Sequence, residues 1–184
     1  MDTGYHVRPA AAKDVALLPA IELAAARLFL DRLNALGLTP EMLESTNSPA
    51  DFAHAQKMGR LWVAVTEQDE PVGFALLSEI DGVIHLEELD VHPTHGRRGI
   101  GAALLQQVCA WAEKAAFPGV TLSTFRNVPW NAPFYARHGF RMLRPDEMTP
   151  GLVGLRHGEQ RRGLRSDLRV IMRYDCLNSR RATD

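Results

Sequence analysis

The amino-acid sequence predicts an α/β (α+β) fold in which strands and helices alternate along almost the whole chain. Short runs rich in β-branched residues end at turn signals, and longer segments repeat apolar residues at helical spacing. Together they predict the element order β-α-α-β-β-β-α-β-α-β-β. A chain of 184 residues suits one domain with a substantial core. We expect that domain at residues 1–177 and a frayed tail at residues 178–184.

The chain up to residue 60 predicts one strand followed by helices. Tyr5-His-Val-Arg-Pro9 is typical of a short strand. Asp14 precedes a long pattern of apolar residues at helical spacing, which ends near Gly37. A second helical region covers residues 39–58, and Asn47-Ser-Pro49 interrupts it. We therefore expect two helical regions between the first strand and the next.

Three consecutive strands are predicted in the middle of the chain, at residues 61–65, 72–77 and 83–91. The turn signals between them are Gln68-Asp-Glu-Pro71 and Asp81-Gly82. Connections this short join antiparallel neighbours, so this part of the sheet is expected to be antiparallel.

The second half of the chain alternates helices and strands. Each helix ends at a glycine or proline signal, Pro118-Gly119 for the first and Gly139 for the second. A polar insertion, partly helical, precedes the last strand. The predicted elements are a helix at residues 99–116, a strand at 120–124, a helix at 131–138, a strand at 140–143, the insertion at 147–165 and a strand at 168–174.

The composition excludes several classes of protein. With 46% apolar and 23% charged residues, the chain has the composition of an ordinary soluble globular protein. Its net charge of −1 gives no general attraction to nucleic acid or to an anionic membrane. Charged residues interrupt every apolar run before ~20 residues, so we expect neither a membrane span nor a signal peptide. Cys109 and Cys176 lie far apart in the sequence, which favours a reducing, cytoplasmic compartment over a disulfide scaffold.

The most informative segment is residues 86–105, where a strand gives way to a Gly- and Arg-rich turn that opens a helix at about Gly99. The first N–H groups of a helix have no intrahelical partner and attract anions together with the helix dipole. No residue from Gly96 to Gly99 is a Ser, Thr, Asp or Asn that could cap this helix. Arg97 and Arg98 add positive charge, so the segment predicts a site for a ligand pyrophosphate.

Two familiar phosphate loops do not fit this segment. The string G-x-x-x-x-G-K-[ST] of a P-loop does not occur in the sequence. A dinucleotide-binding fingerprint fails because Leu104 stands at its third glycine, and residues 119–126 lack the acidic residue expected ~20 positions on.

The turn resembles the coenzyme A loop of the GCN5-related N-acetyltransferases, the GNAT superfamily. The superfamily pattern [Q/R]-x-x-G-x-[G/A] falls on Gly96-Arg-Arg-Gly99-Ile-Gly101, with Gly96 in place of the usual Gln or Arg. Residues 128–140 resemble a second superfamily segment, N-x-x-A-x-x-F-Y-x-x-x-G-F, although Pro133 replaces a small residue there. Proline is tolerated in the first helical turn if Asn131 is the N-cap.

The resemblance implies a fold and a cofactor. The expected fold is a mixed central sheet of six to seven strands, antiparallel in its N-terminal part, splayed between strands four and five, and flanked by helices. Asn131 and Tyr135 share one helical face, and the resemblance places Asn131 at the pantetheine arm and Tyr135 at the thioester sulfur. The residues expected to contact the cosubstrate acetyl-CoA are Leu89, Asp90, Val91, Arg97, Arg98, Gly99, Ile100, Gly101, Ala102, Asn131 and Tyr135.

The chemistry of acyl transfer to an amine calls for a proton acceptor, which this superfamily often keeps in the strand before the phosphate loop. Side chains alternate along a strand, so His85 and Glu87 share one face and Glu88 lies on the other. Glu87 is our first candidate for the base, His85 the second and Glu88 the third; a structural role remains open for each. Tyr135 is the candidate acid for the leaving thiolate.

The resemblance implies an acyl-CoA-dependent N-acetyltransferase that moves an acetyl group to a primary amine by direct transfer in a ternary complex. The acceptor would be a small molecule or a peptide, and a homodimer is possible in this family. The alternative is a non-catalytic acyl-CoA-binding or sensor module on the same fold, and an acyl group larger than acetyl also remains open. His92 and His95 are spaced like metal ligands, but no third ligand accompanies them, so we expect no metal.

Overall fold

The computed structural model describes residues 4–176, and it confirms the predicted alternation of strands and helices. The strands are β1 (Tyr5–Pro9), β2 (Leu61–Thr66), β3 (Pro71–Ile80), β4 (Val83–Val91), β5 (Gly119–Phe125), β6 (Arg141–Met142) and β7 (Arg169–Asp175). The α-helices are α1 (Leu18–Ala26), α2 (Leu33–Leu36), α3 (Pro40–Glu44), α4 (Pro49–Lys57), α5 (Ile100–Lys114), α6 (Ala132–Arg137) and α7 (Pro150–Arg161). The tail predicted at residues 178–184 lies outside the described residues.

The strands form one seven-stranded mixed sheet in the order β1-β2-β3-β4-β5-β7-β6. The pairs β1/β2 and β2/β3 are antiparallel, as are β5/β7 and β6/β7, whereas β4 and β5 are parallel. The mixed sheet with flanking helices confirms the predicted fold class.

The β3–β4 connection is the tight turn that the sequence predicts. Asp81 and Gly82 have φ angles of 51° and 77°. Two consecutive positive φ angles are characteristic of a type I′ hairpin turn, whose twist matches that of antiparallel strands. Glycine adopts this conformation without steric cost at the second position.

Pairing between β4 and β5 covers only the start of β4. The register joins Ile84 to Val120, His85 to Thr121 and Leu86 to Leu122. It stops before Glu87, so the last five residues of β4 have no partner in β5. This is the splay between strands four and five that the resemblance implies.

Two compact units can be distinguished within residues 4–176. The first unit comprises residues 4–33, 39–78 and 87–108, and the second comprises residues 34–38, 79–86 and 109–176. The expectation of a single domain stays a prediction. No helix in the described part of the chain is both long and apolar enough to span a membrane.

The core of the first unit packs helices α1 and α4 on β2 and β3. Phe52 of α4 and Phe74 of β3 are fully buried and meet edge to face with ring centroids 5.1 Å apart. Leu18, Val63 and Val65 are fully buried beside them. Burial of each such side chain contributes about 1.5–3 kcal/mol to the stability of the unit.

The second unit contains an aromatic cluster between α6 and the strands that follow it. The ring of Phe140 lies 5.7 Å from that of Tyr135 and 5.6 Å from that of Tyr174. Cys109 and Cys176, distant in sequence, are both buried cysteines of this unit and form no disulfide within residues 4–176. Burial raises the pKa of Cys109 to about 12 and also raises the pKa of Cys176, which disfavours the thiolate form of both.

The long first helix differs from its prediction. Instead of one helix to Gly37, the chain forms α1, a 3₁₀ segment at Arg27–Arg32 and the single turn of α2. Leu28 and Leu30 of the 3₁₀ segment are about half exposed. Their apolar side chains continue the helical spacing in the sequence, but they bury only about half of their surface, which is too little to hold the segment in an α-helix.

Candidate functional site

The turn between β4 and α5 belongs to the first unit and has two residues in the left-handed region. Arg97 has φ 60° and Gly99 has φ 81°. The carbonyl of Gly99 accepts the first bond of α5, from the N–H of Ala103 at 2.9 Å. Gly99 is therefore the N-cap of α5, and it has no side chain that could satisfy the N–H groups of the first turn.

The backbone N–H groups from Arg97 to Ala102 make no hydrogen bond to any residue in the range 4–176. Arg97, Arg98 and Gly99 are exposed, so solvent and ligands can reach this part of the turn. Six free donors at the positive end of a fifteen-residue helix, with two arginines beside them, form a site that suits a phosphate group.

The second half of β4 also belongs to the first unit. The edge of its main chain opposite β3 has no partner in β5. The N–H of His92 donates to Val72 O at 2.8 Å, on the β3 side. Because successive residues of a strand direct their N–H groups to opposite edges, Val91 directs its own away from β3. The close approach of β3 requires Gly73, since a Cβ there would lie 2.8 Å from Asp90 O.

Two other carboxyl groups of the first unit, Glu88 and Glu22, act on the Asp90 carboxyl of β4. Burial raises the pKa of Asp90 well above its usual range, and the charges of Glu88 and Glu22 raise it further. Glu22, a buried residue of α1, accepts hydrogen bonds from the N–H and Nδ2 of Asn47 at 3.0 and 2.9 Å. Burial raises the pKa of Glu22 as well.

Sequence reasoning did not single out Glu22, although a signal was present. Leu18, Ile21, Glu22 and Ala25 are the buried residues of α1 and follow the i, i+3, i+4, i+7 spacing of one helical face. A carboxylate on the buried face of a helix costs free energy unless it is paired. That position could have identified Glu22 from the sequence.

The two first candidates for the base lie in different surroundings. Glu87 is exposed and accepts a hydrogen bond from Ser78 Oγ at 2.5 Å within the first unit. His85 belongs to the second unit, is only 2% exposed, and places Nδ1 3.0 Å from Thr121 Oγ1. Thr121 Oγ1 in turn donates to Ile84 O at 3.2 Å. His85 thus has a structural partner, and Glu87 has the accessible carboxylate.

The second predicted motif lies in the second unit, where Asn131 precedes α6. Its Nδ2 donates to Thr124 Oγ1 at 2.8 Å, and its side chain does not cap the helix. Its Oδ1 is buried and has no hydrogen-bond partner within residues 4–176. A buried amide oxygen without a partner costs about 1–3 kcal/mol, so a ligand that donates to it would gain that free energy.

Tyr135, four residues further on, is 8% exposed. Its ring lies between those of Phe134 and Phe140, with centroid distances of 5.2 and 5.7 Å. Aromatic contacts on two sides restrict the ring to one orientation.

The structure distributes the predicted site residues over the two units. The first unit brings together Glu87, Glu88, Leu89, Asp90, Val91 and the loop from Arg97 to Ala102. The second brings together His85, Asn131 and Tyr135. Among the described residues, no group of three His, Cys, Asp or Glu side chains is arranged to hold a metal ion, and this includes His92 and His95.

The sequence model of the acetyltransferase (GNAT) family matches residues 27–140, which is more than half of the chain. The chain belongs to the GNAT family. The matched range contains both segments that resemble the superfamily, residues 96–101 and residues 128–140.

Known N-acetyltransferases resemble this chain in sequence or in fold. The peptidyl-lysine N-acetyltransferase YjaB of Salmonella typhimurium is 35% identical over 88 residues, which are 48% of this chain and 54% of YjaB. The chain thus spans about half the length of the curated relatives that it matches.

Two solved structures show the same fold. The PaiA N-acetyltransferase of Thermoplasma acidophilum, solved in complex with coenzyme A, has a TM-score of 0.67 at 16% identity, with 93% of this chain and 98% of that chain covered. The ribosomal-protein-S18-alanine N-acetyltransferase of Escherichia coli has a TM-score of 0.63 at 17% identity, with 94% of each chain covered.

Proposed function

We propose that this GNAT protein is an acetyl-CoA-dependent N-acetyltransferase that transfers the acetyl group directly to a primary amine in a ternary complex. The observation that carries the proposal is the set of six unpaired N–H groups from Arg97 to Ala102 at the start of α5. A pyrophosphate supplies the acceptor oxygens that these donors lack inside the protein. The Thermoplasma relative of the same fold holds coenzyme A, which is consistent with this ligand.

The acceptor must lose a proton before it attacks the thioester. An amine with a pKa of ~10.4 costs about 4–5 kcal/mol to deprotonate at pH 7. Glu87, the exposed carboxylate of β4, remains our first candidate for the base, followed by His85 and Glu88.

The thioester carbonyl and the leaving thiolate require a hydrogen-bond donor and a proton. In the proposed reaction, main-chain N–H groups from Leu89 to Val91 bind the pantetheine arm and polarise the carbonyl. Collapse of the tetrahedral intermediate breaks the carbon–sulfur bond and releases a thiolate, which takes a proton from the Tyr135 hydroxyl. Asn131 would donate to or accept from the pantetheine amides, since its Oδ1 is buried without a partner.

The acceptor is proposed to be the amine of a lysine side chain in a peptide, or a small molecule that carries a similar amine. The curated relatives named peptidyl-lysine N-acetyltransferases support the first of these. The carboxyl groups of Glu22, Glu88 and Asp90 would favour a cationic acceptor.

Calorimetric titration of the full chain with acetyl-CoA at moderate salt tests the proposed acetyl-CoA site. We expect saturable binding below about 1 mM, the range of ordinary cosubstrates. Absence of binding at that concentration would remove the proposal.

A second measurement distinguishes an enzyme from the alternative, a non-catalytic acyl-CoA sensor. Thiol release is followed while acetyl-CoA is incubated with lysine peptides and a library of small amines. An enzyme releases thiol in an amine-dependent way, and Tyr135→Phe lowers turnover by about tenfold or more with little change in the Kd of acetyl-CoA. Binding of acetyl-CoA without thiol release from any acceptor favours the sensor.

A further inference from the structure

Arg98 contacts Tyr5, a residue that lies outside the range of the family match. Its Nη1 donates to the hydroxyl of Tyr5 at 2.5 Å, and its guanidinium carbon lies 5.9 Å from the centre of the Tyr5 ring. The same hydroxyl lies 3.0 Å from Nδ1 of His95, and the two rings meet edge to face at 5.7 Å. We refer to Tyr5, His95 and Arg98 as the Tyr5 clasp; all three belong to the first unit.

An arginine has no acceptor, so the Tyr5 oxygen accepts from Arg98. The direction of the bond to His95 depends on the imidazole tautomer: with the proton on Nε2, the Tyr5 O–H donates to Nδ1. His95 can accept at Nδ1 only as a neutral imidazole with its proton on Nε2. Protonation of His95 would bring a second cationic donor to the same oxygen and would oppose the bond from Arg98.

The clasp anchors Arg98 without neutralising its charge. The partner of the guanidinium is a neutral hydroxyl, and within residues 4–176 no carboxylate forms an ion pair with Arg98. Four of its five N–H donors remain available for an anion. Arg97, the neighbouring residue, has neither a hydrogen bond nor an ion pair in the described part of the chain and is not held in this way.

We infer that Tyr5 and His95 are positioning residues that hold the Arg98 guanidinium for a phosphate group of the acyl donor, acetyl-CoA. The inference rests on the proposed coenzyme A site, because the loop that carries Arg98 also carries the six unpaired N–H groups. A guanidinium that is already ordered loses less side-chain entropy when the phosphate binds. The clasp therefore raises affinity without touching the ligand through Tyr5 or His95.

A double-mutant cycle tests this coupling with coenzyme A as the probe. Titration calorimetry is carried out on the wild-type chain, Tyr5→Phe, Arg98→Gln and the double variant, with Tyr174→Phe as a control that removes a hydroxyl outside the clasp. Tyr5→Phe is expected to weaken binding about fivefold in the wild-type background and not at all in the Arg98→Gln background. Urea denaturation midpoints of all variants identify any loss that comes from unfolding.

The pH dependence of binding gives a readout that a purely structural role would not produce. The titratable and charged groups facing His95 are Tyr5, Arg98, His92 and Glu70, the last lining a pocket of about 200 Å³ together with both histidines. Burial lowers the pKa of His95, and Arg98 and His92 lower it further. As pH falls through this pKa, the wild-type chain should lose affinity more steeply than Tyr5→Phe, since only the wild type has a clasp to lose.

The outcomes separate the inference from the proposed function. If the wild-type chain does not bind coenzyme A, both fail together. If the wild-type chain binds coenzyme A and Tyr5→Phe binds it equally well, the coenzyme A site stands and the role of the clasp is overturned. The same holds if Tyr5→Phe weakens binding equally in the wild-type and Arg98→Gln backgrounds. A parallel pH profile for wild type and Tyr5→Phe would also overturn it.

Discussion

Helix α4 and the start of helix α5 belong to the first unit, but the two helices begin in opposite ways. At α4 the Ser48 side chain accepts from the N–H of Asp51 at 3.2 Å, and an Asp51 oxygen accepts from the N–H of Ser48 at 2.9 Å. Pro49 has no N–H, and the N–H of Phe52 bonds to Ser48 O at 3.2 Å. At α5 the cap is a glycine, and the N–H groups of its first three residues stay unpaired within the described chain.

The difference shows what each helix start contributes. A capping box satisfies orphan donors inside the protein, and it stabilises the helix by about 0.5–2 kcal/mol. The start of α5 lacks that stabilisation, which leaves its donors available to a ligand. The free energy missing from the fold at α5 becomes binding free energy when an anion arrives.

The largest expected effect comes from adding a carboxylate at the start of α5. Gly99→Asp would place a negative charge beside the proposed phosphate site and repel the ligand, so we expect coenzyme A affinity to fall about a hundredfold. Gly99→Ala is the control, because it also places an L side chain at positive φ, at a cost of about 1–2 kcal/mol, without adding the charge. Equal affinities for the two variants, measured by calorimetry, would contradict a phosphate at this helix start.

A smaller effect is expected at the third helix start, that of α6. Asn131 precedes α6 without capping it, so Asn131→Ala should weaken coenzyme A binding about tenfold while it lowers the free energy of unfolding by only ~1 kcal/mol. Calorimetry and urea denaturation measure the two quantities. A loss of stability with unchanged affinity would assign Asn131 a structural role alone.

The converse prediction concerns α4, the helix whose start is capped. Ser48→Ala removes the cap and should lower the free energy of unfolding by about 1 kcal/mol. Coenzyme A affinity should stay within error of the wild type, because the site is at the other helix start. Weakened binding in a folded Ser48→Ala protein would show that the two helix starts are not independent.

The smallest effect concerns pH. The hydrogen bond from the Ser48 side chain, followed by that from its N–H, lowers the pKa of Asp51. A lowered carboxyl pKa stabilises the fold above the unfolded value of ~3.9, and this stabilisation is lost as pH falls through the folded value. The difference in urea midpoint between wild type and Asp51→Asn should therefore shrink from pH 7 to pH 3. A constant difference would mean that the carboxylate charge has no part in the cap.

Local patterns in the sequence predicted the fold and the loop well. The bounds predicted for β4, residues 83–91, are those observed, because apolar alternation and the Asp81-Gly82 turn are local signals. The absence of a capping residue before α5 could also be predicted, since it depends only on the four consecutive residues from Gly96 to Gly99. The assignments of individual site residues stay predictions.

Contacts between distant residues could not be predicted in the same way. Tyr5 and His95 are 90 positions apart, and nothing local to either residue indicates their hydrogen bond. Arg8 and Asp69 are 61 positions apart, and nothing local to either residue indicates their ion pair at 2.8 Å. Such pairs follow from the strand register, which the sequence constrains only loosely.

Amide hydrogen exchange at the two helix starts tests the central claim most directly. In the free protein, the N–H groups from Arg97 to Ala102 should exchange near the rate of an unprotected chain, while those of Asp51 and Phe52 are protected. Saturating acetyl-CoA should protect the Arg97–Ala102 groups and leave Asp51 and Phe52 unchanged. Strong protection of residues 97–102 without ligand, or no change on adding it, would contradict the account.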